Sequence, residues 1–169
     1  MDLELHWYVS YVKSCREKSA ARSLDALGVE TFLPISIVKR RWSDRIKLIE
    51  KLLLPHMIFI RTSESRRVEL LKEVDSLTRF MSKGGTYNPV IVPDEQMKAF
   101  RFMLERSSGE VDFIDAPLAP GDRVMVVEGP LAGLECELLT INGSNKIAIK
   151  MDWLGASITE IDISSVKKL

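Results

Sequence analysis

From residue 120 onward the chain carries four short runs of β-branched and aliphatic residues, at 124–127, 136–141, 147–151 and 158–163. Gly129-Pro130, Asn142-Gly143 and Gly155 separate them, with the turn spacing of roughly 8–12 residues found in small β folds. Apolar residues do not recur there every three or four positions, so helices are excluded and a small all-β barrel is predicted. Asn142-Gly143 suits a two-residue hairpin turn in which both central residues take positive φ. A unit of about fifty residues buries little apolar surface and has little stability of its own.

The preceding residues have a different texture. Residues 6–13, His-Trp-Tyr-Val-Ser-Tyr-Val-Lys, read as a strand. Ser14 to Glu17 has capping-box spacing. The helix this opens places Ala20, Leu24 and Leu27 on one face, and Gly28 suits its left-handed end. A strand over 29–33 is stopped or confined to an edge by Pro34. Residues 35–51 read as a strand, a loop around Ser43-Asp44 and a returning segment. That stretch carries Lys39, Arg40, Arg41, Arg45, Lys47 and Lys51 against Asp44 and Glu50. After Pro55, residues 57–60 form a short buried strand. Thr62 or Ser63 can cap a second helix with Val68, Leu71 and Val74 on its inner face, and a strand over 76–81 runs into a turn at Lys83-Gly84-Gly85. Pro93 can open a third helix, Asp94 and Glu95 favour its positive end, and Met97, Phe100 and Leu104 form its inner face. The expected fold is α+β: an antiparallel sheet with covering helices over 1–106, a linker over 107–116, and the β barrel over 117–169.

Charge follows the same division. Residues 1–106 hold 19 Lys/Arg and 14 Asp/Glu, whereas residues 107–169 hold 5 and 10. A basic first half and an acidic second half point to different partners, with nucleic acid a candidate neighbour of the first. No apolar run approaches the roughly 20 residues of a membrane span. The Met1-Asp2-Leu3-Glu4 opening lacks a signal-peptide pattern, so a cytoplasmic monomer is expected. Cys15 and Cys136 stand far apart without metal-ligand spacing. His6 and His56 are the only histidines, and Gly84-Gly85 lacks the lysine of a phosphate loop. Cys15 lies near a helix start, where a thiol pKa can fall, but the role it reads as is packing or capping rather than reactivity. No catalytic residue, metal or cofactor is expected.

The order and spacing of several weak motifs resemble the NusG family over nearly the whole length. The first domain is similar to the family's N-terminal (NGN) module in Trp7-Tyr8-Val9, Phe32-Leu33-Pro34, Pro55-His56-Met57-Ile58-Phe59-Ile60, Phe80 with Gly84-Gly85, and Pro93. The second resembles a KOW motif, an SH3-like barrel, in Pro120-Gly121-Asp122-Arg123-Val124 and Gly129-Pro130-Leu131-Ala132-Gly133. The resemblance implies a factor that binds the clamp helices of RNA polymerase's largest subunit and suppresses pausing. It places Tyr11, Pro55, Met57 and Phe59 on the clamp-helix face. It places Arg67, Val68, Glu69 and Leu70 at the gate loop, and Lys13 and Arg16 at the non-template DNA strand.

Arg40, Arg41 and Trp42 add a basic segment with a stacking surface for an unpaired base. Trp153-Leu154 falls where relatives meet a small-subunit ribosomal protein. The chain departs from housekeeping members at Leu131 and Leu134 (phenylalanines there), at Cys136 (glycine) and at His56-Met57 (Gly-Tyr). These departures point toward a specialised paralogue of the UpxY or RfaH type that promotes read-through of pauses and terminators at particular operons, such as those for capsular polysaccharide. A general elongation factor coupled to Rho, or a KOW-type RNA-binding protein of the translation apparatus, is the competing reading. Period two sends one of the pairs Met57/Phe59 and Ile58/Ile60 inward and the other outward. Trp153 is either a barrel-core residue or an exposed anchor.

Overall fold

The computed structural model describes residues 3–115 and 118–169. Met1 and Asp2 of the acidic opening, and Ala116 and Pro117 at the expected domain boundary, lie outside the described residues. In chain order the elements begin with β1 (His6–Val12), α1 (Glu17–Ala26), β2 (Glu30–Phe32), β3 (Ile35–Arg41), β4 (Ile46–Leu52) and β5 (Met57–Thr62). Next come α2 (Glu64–Glu73), β6 (Leu77–Phe80), β7 (Ile91–Val92), α3 (Asp94–Arg106) and β8 (Val111–Ile114). The chain closes with β9 (Asp122–Val126), β10 (Glu135–Ile141), β11 (Ser144–Met151), β12 (Gly155–Glu160) and β13 (Val166–Lys168). All described strand pairings are antiparallel, so the chain is α+β as expected. Among the described residues no helix is long and apolar enough to cross a membrane.

The chain divides into two compact units, Met1–Pro34 with Leu54–Asp94, and Ile35–Leu53 with Glu95–Leu169. In the first, the strands run β2-β5-β1-β6, with β7 also on β1. Tyr8, Ile58, Ile60 and Phe80 from the sheet pack with Ala20 and Leu24 of α1 and Leu70 of α2 in one buried core. The C-terminus of α1 ends as predicted: Gly28 takes φ +73°, its N–H donates to Asp25 O, and Val29 N–H donates to Leu24 O. This pair of bonds satisfies carbonyls that the helix end would otherwise strand. Ser63 caps α2, its Oγ accepting from Arg66 N–H at 3.3 Å.

Four local expectations are corrected. The capping box at Ser14 does not form: Arg16 is the N-cap and makes no side-chain cap bond. Cys15 adopts φ +59°, and Glu17 turns inward, leaving 5% of its surface exposed. On α2 the inward residue is Leu70, four before buried Val74, while Val68 is 47% exposed. Leu27 is 43% exposed because it sits past the last turn of α1, and Met103 replaces Leu104 on the buried face of α3.

In the second unit, β3 and β4 pair as a two-stranded ribbon around the expected loop. The other six strands run β13-β9-β10-β11-β12-β8. Asn142 and Gly143 turn β10 into β11 with φ +49° and +79°, both positive as predicted. The largest difference from the expected organisation is β8, which lies inside the segment read as a linker and pairs with β12 from Val111 to Ile114. Ser, Gly and acidic residues hid this strand, but it is fastened on several sides. Phe113 packs against Phe100 of α3 with ring centroids 5.9 Å apart. Lys51 Nζ donates to Asp112 Oδ1 at 2.9 Å. Gly155 leaves room for the Ile114 carbonyl, where a Cβ would lie 2.0 Å from the oxygen. The β3–β4 ribbon and α3 therefore group with the six-stranded sheet rather than with the first 106 residues.

Candidate interaction surfaces

Three adjacent strands of the first unit set Met57, Tyr11 and Arg79 side by side. Tyr11 is the register partner of Met57 on β5 and of Arg79 on β6. Directly opposed residues share a sheet face, so the three form one row. The Arg79 guanidinium lies over the Tyr11 ring at 4.5 Å from its centroid. Met57 and Tyr11 are half-buried, and Pro55, His56 and Arg79 are exposed beside them. Two residues along the same face the accessibility ends: Phe59, opposite Val9, is fully buried, its ring 6.1 Å from Phe32. Because Ile58 and Ile60 are buried too, both faces of β5 are covered, and Phe59 is not an accessible docking residue. Period two left open which pair turns inward, and at residues 58–60 both faces are buried.

The turn leading into the row is held by a buried carboxylate. Glu17 Oε1 accepts the His56 N–H at 3.1 Å, with the His56 ring nitrogen 3.8 Å away. His56 occupies φ +66°, a conformation that glycine adopts freely and other residues resist.

Of the expected gate-loop residues, Val68 and Glu69 are exposed on α2. Leu70 is fully buried in the core and is not available there. Arg67 is largely committed internally: it pairs with Glu64, and its guanidinium lies over Tyr8 and Phe80. The bond from Arg67, joined by one from the Tyr8 hydroxyl, holds the Glu64 carboxyl below its ordinary pKa. Lys13 and Arg16 are both exposed around the β1–α1 turn, and Lys13 Nζ pairs with Asp75 at 2.9 Å. Such exposed pairs exchange readily for other anions.

The β3–β4 register separates the third set of basic residues. Arg40 opposes Lys47, and Arg41 opposes Ile46, so Arg40 and Arg41 point to opposite faces. Lys47 lies over the ring of Trp42 at 4.9 Å, which puts Trp42, 53% exposed, on the Arg40 side. In the β11–β12 turn, Trp153 is 61% exposed at φ +71°, whereas Leu154 is 8% exposed. Trp153 is therefore an exposed residue rather than a core one, and Leu154 is removed from the surface.

A feature without any sequence signal is a cavity of about 600 Å3 in the second unit, between Ala99 and Phe102 of α3 and Leu134, Cys136 and Ile149 of the sheet. Burial pushes the Cys136 thiol up to about 12, which disfavours its thiolate. Among the described residues no group of three His, Cys, Asp or Glu could hold a metal ion.

Residues 5–101 match the family model described as "Transcription termination factor nusG". The chain is 21% identical over 140 residues to the transcription termination/antitermination protein NusG of Lactococcus lactis, spanning 81% of this chain and 74% of that protein. The solved structure "Domain interaction in Thermotoga maritima NusG" aligns over 98% of each chain with TM-score 0.49 and 20% identity. The MjSpt4:Spt5 complex, conformation B, aligns over 96% of each chain with TM-score 0.31 and 12% identity.

Proposed function

The chain belongs to the NusG family of transcription termination/antitermination factors, and we propose that it is a specialised member that binds RNA polymerase and promotes read-through at particular operons. The observation carrying this reading is the partly accessible row of Met57, Tyr11 and Arg79 beside Pro55. An aromatic, a thioether and a proline next to a cation make an anchor suited to a helical protein surface. The clamp helices of the largest polymerase subunit are its proposed partner. Val68 and Glu69 are the proposed gate-loop contact. Lys13 and Arg16 of the first unit and, separately, Arg40 and Trp42 of the ribbon are the proposed contacts with the non-template strand. The six-stranded sheet of the second unit is proposed to close as the SH3-like KOW barrel, with Trp153 reaching a ribosomal protein or Rho. The site of action is the cytoplasm.

The specialised role is favoured over general elongation by His56. A histidine held at positive φ by a buried glutamate is a local solution different from the family's glycine. Single-round transcription with purified polymerase tests it on two templates, one carrying an ordinary intrinsic terminator and one a long polysaccharide-operon leader. Read-through raised on the leader alone is the expected result. Equal effects on both, or enhanced termination with Rho, would assign the chain to general elongation. RNA binding without polymerase, with steep salt dependence, would favour the translation-apparatus reading.

A further inference from the structure

The two faces of the β3–β4 ribbon have different chemistry. On one side Arg40, Lys47 and Trp42 cluster. On the other, the register brings Ile37, Lys39 and Arg41 beside Glu50, Leu48 and Ile46. Ile37 is 56% exposed, and Ile46 and Leu48 are each 68% exposed. Large aliphatic side chains gathered this way on one face, rimmed by charge, mark an interaction surface. β4 is exposed from Ile46 to Glu50, and in the described sheets it pairs with β3 alone. Its outer edge is therefore a template for a further strand. The ribbon is anchored at its base, where Lys51 pairs with Asp112 and Glu110.

We propose that this aliphatic face docks an acidic polypeptide segment bearing aliphatic side chains, on the protein surface of RNA polymerase itself. The proposal rests on the polymerase reading above but concerns a second, separate contact. Charge selects the occupant. On this face Lys39 and Arg41 stand against Glu50, so an acidic partner is attracted. A second copy of the ribbon, face to face, would set like charges together. A nucleic acid would find no stacking surface here, since Trp42 lies on the opposite side. An anionic lipid surface would have to accept Glu50 within the patch, and the interfacial aromatic faces away from it.

The test measures binding of the full chain to core RNA polymerase without nucleic acid, for the parent, Ile46→Ser/Leu48→Ser, Lys39→Glu/Arg41→Glu and Lys47→Gln on the opposite face. Circular dichroism checks that each variant is folded. The first two variants are expected to weaken binding by about tenfold or more, and the third to leave it near the parent value. Parent-like binding by the first two would overturn this contact while leaving the polymerase reading intact. No binding by the parent would overturn the polymerase reading and this contact with it. Binding of the parent to phosphatidylglycerol vesicles, or its dimerisation in sedimentation, lost in Ile46→Ser/Leu48→Ser while polymerase binding stays, would overturn it in favour of lipid or self-association.

Discussion

Glu17, nearly buried at the start of α1, accepts the backbone N–H of His56 at 3.1 Å and so fixes the turn that delivers β5 to the sheet. The same turn is tied from the other side by Val12 N–H donating to His56 O at 2.8 Å. Glu17→Ala would leave the His56 N–H without its acceptor, at a cost of about 1–3 kcal/mol. His56→Gly would instead relieve the left-handed residue, stabilising the fold by up to about 1 kcal/mol. Urea unfolding midpoints distinguish the two. Equal stability of Glu17→Ala and the parent would show that the bond contributes nothing.

Gly155 faces the Ile114 carbonyl at φ +137°, and an added Cβ would meet backbone atoms of Ile114 and Asp115 within 3 Å. Gly155→Ala is expected to destabilise the second unit by about 2–4 kcal/mol. The effect should appear first as faster hydrogen exchange at the amides of Val111–Ile114, which pair with β12. Unchanged protection there would mean that β8 is not held by this approach.

The carboxyls of Glu64, Glu73 and Glu137 are all held below their ordinary value. Bonds from Arg67 and Arg66 do this for the first two. At Glu137, partial burial acts in the opposite direction but is outweighed by the Gly121 N–H and Lys150. A carboxyl with a lowered folded-state pKa stabilises the fold fully above its unfolded pKa and loses that contribution as pH falls through the folded one. Stability should therefore be flat from pH 7 to about 5 and decline below about 4. Arg67→Gln should shrink the acid decline by removing the largest support for Glu64. An unaltered acid limb in that variant would contradict the assignment.

The two thiols should separate cleanly. Cys15 is exposed, whereas Cys136 is buried with its pKa pushed up to about 12. An alkylating reagent at pH 8 is expected to label Cys15 alone in the folded chain, and Cys136 only on unfolding. Labelling of Cys136 at the same rate would show that the cavity wall opens freely.

What could be read from the sequence was local chemistry with one physical solution. Ser63 ahead of α2, Gly28 behind α1 and Asn142-Gly143 between strands each supply a group or a backbone conformation that the turn requires. What could not be read depended on packing partners distant in sequence. Ser14 and Glu17 have ideal capping spacing, yet the His56 amide, 39 residues on, captured the carboxylate. Phe59 alternates with two core isoleucines, and nothing local shows that both strand faces are covered. β8 is a short Val-Asp-Phe-Ile run set among Ser, Gly and acidic residues, made into a strand by β12 and a glycine more than forty residues away. The Met57–Tyr11–Arg79 row was half legible: Tyr11 and Met57 came from the family resemblance, while Arg79 required the β1–β6 register.

The most direct measurement is the affinity of the full chain for core RNA polymerase, comparing Tyr11→Ala/Met57→Ser with Phe59→Ala and following folding in parallel. Phe59→Ala should lose about 3–5 kcal/mol of stability, so any lost binding must be read against the fraction folded. The account predicts that Tyr11→Ala/Met57→Ser stays folded and binds at least about tenfold more weakly. A folded Tyr11→Ala/Met57→Ser variant with parent-like affinity would contradict it.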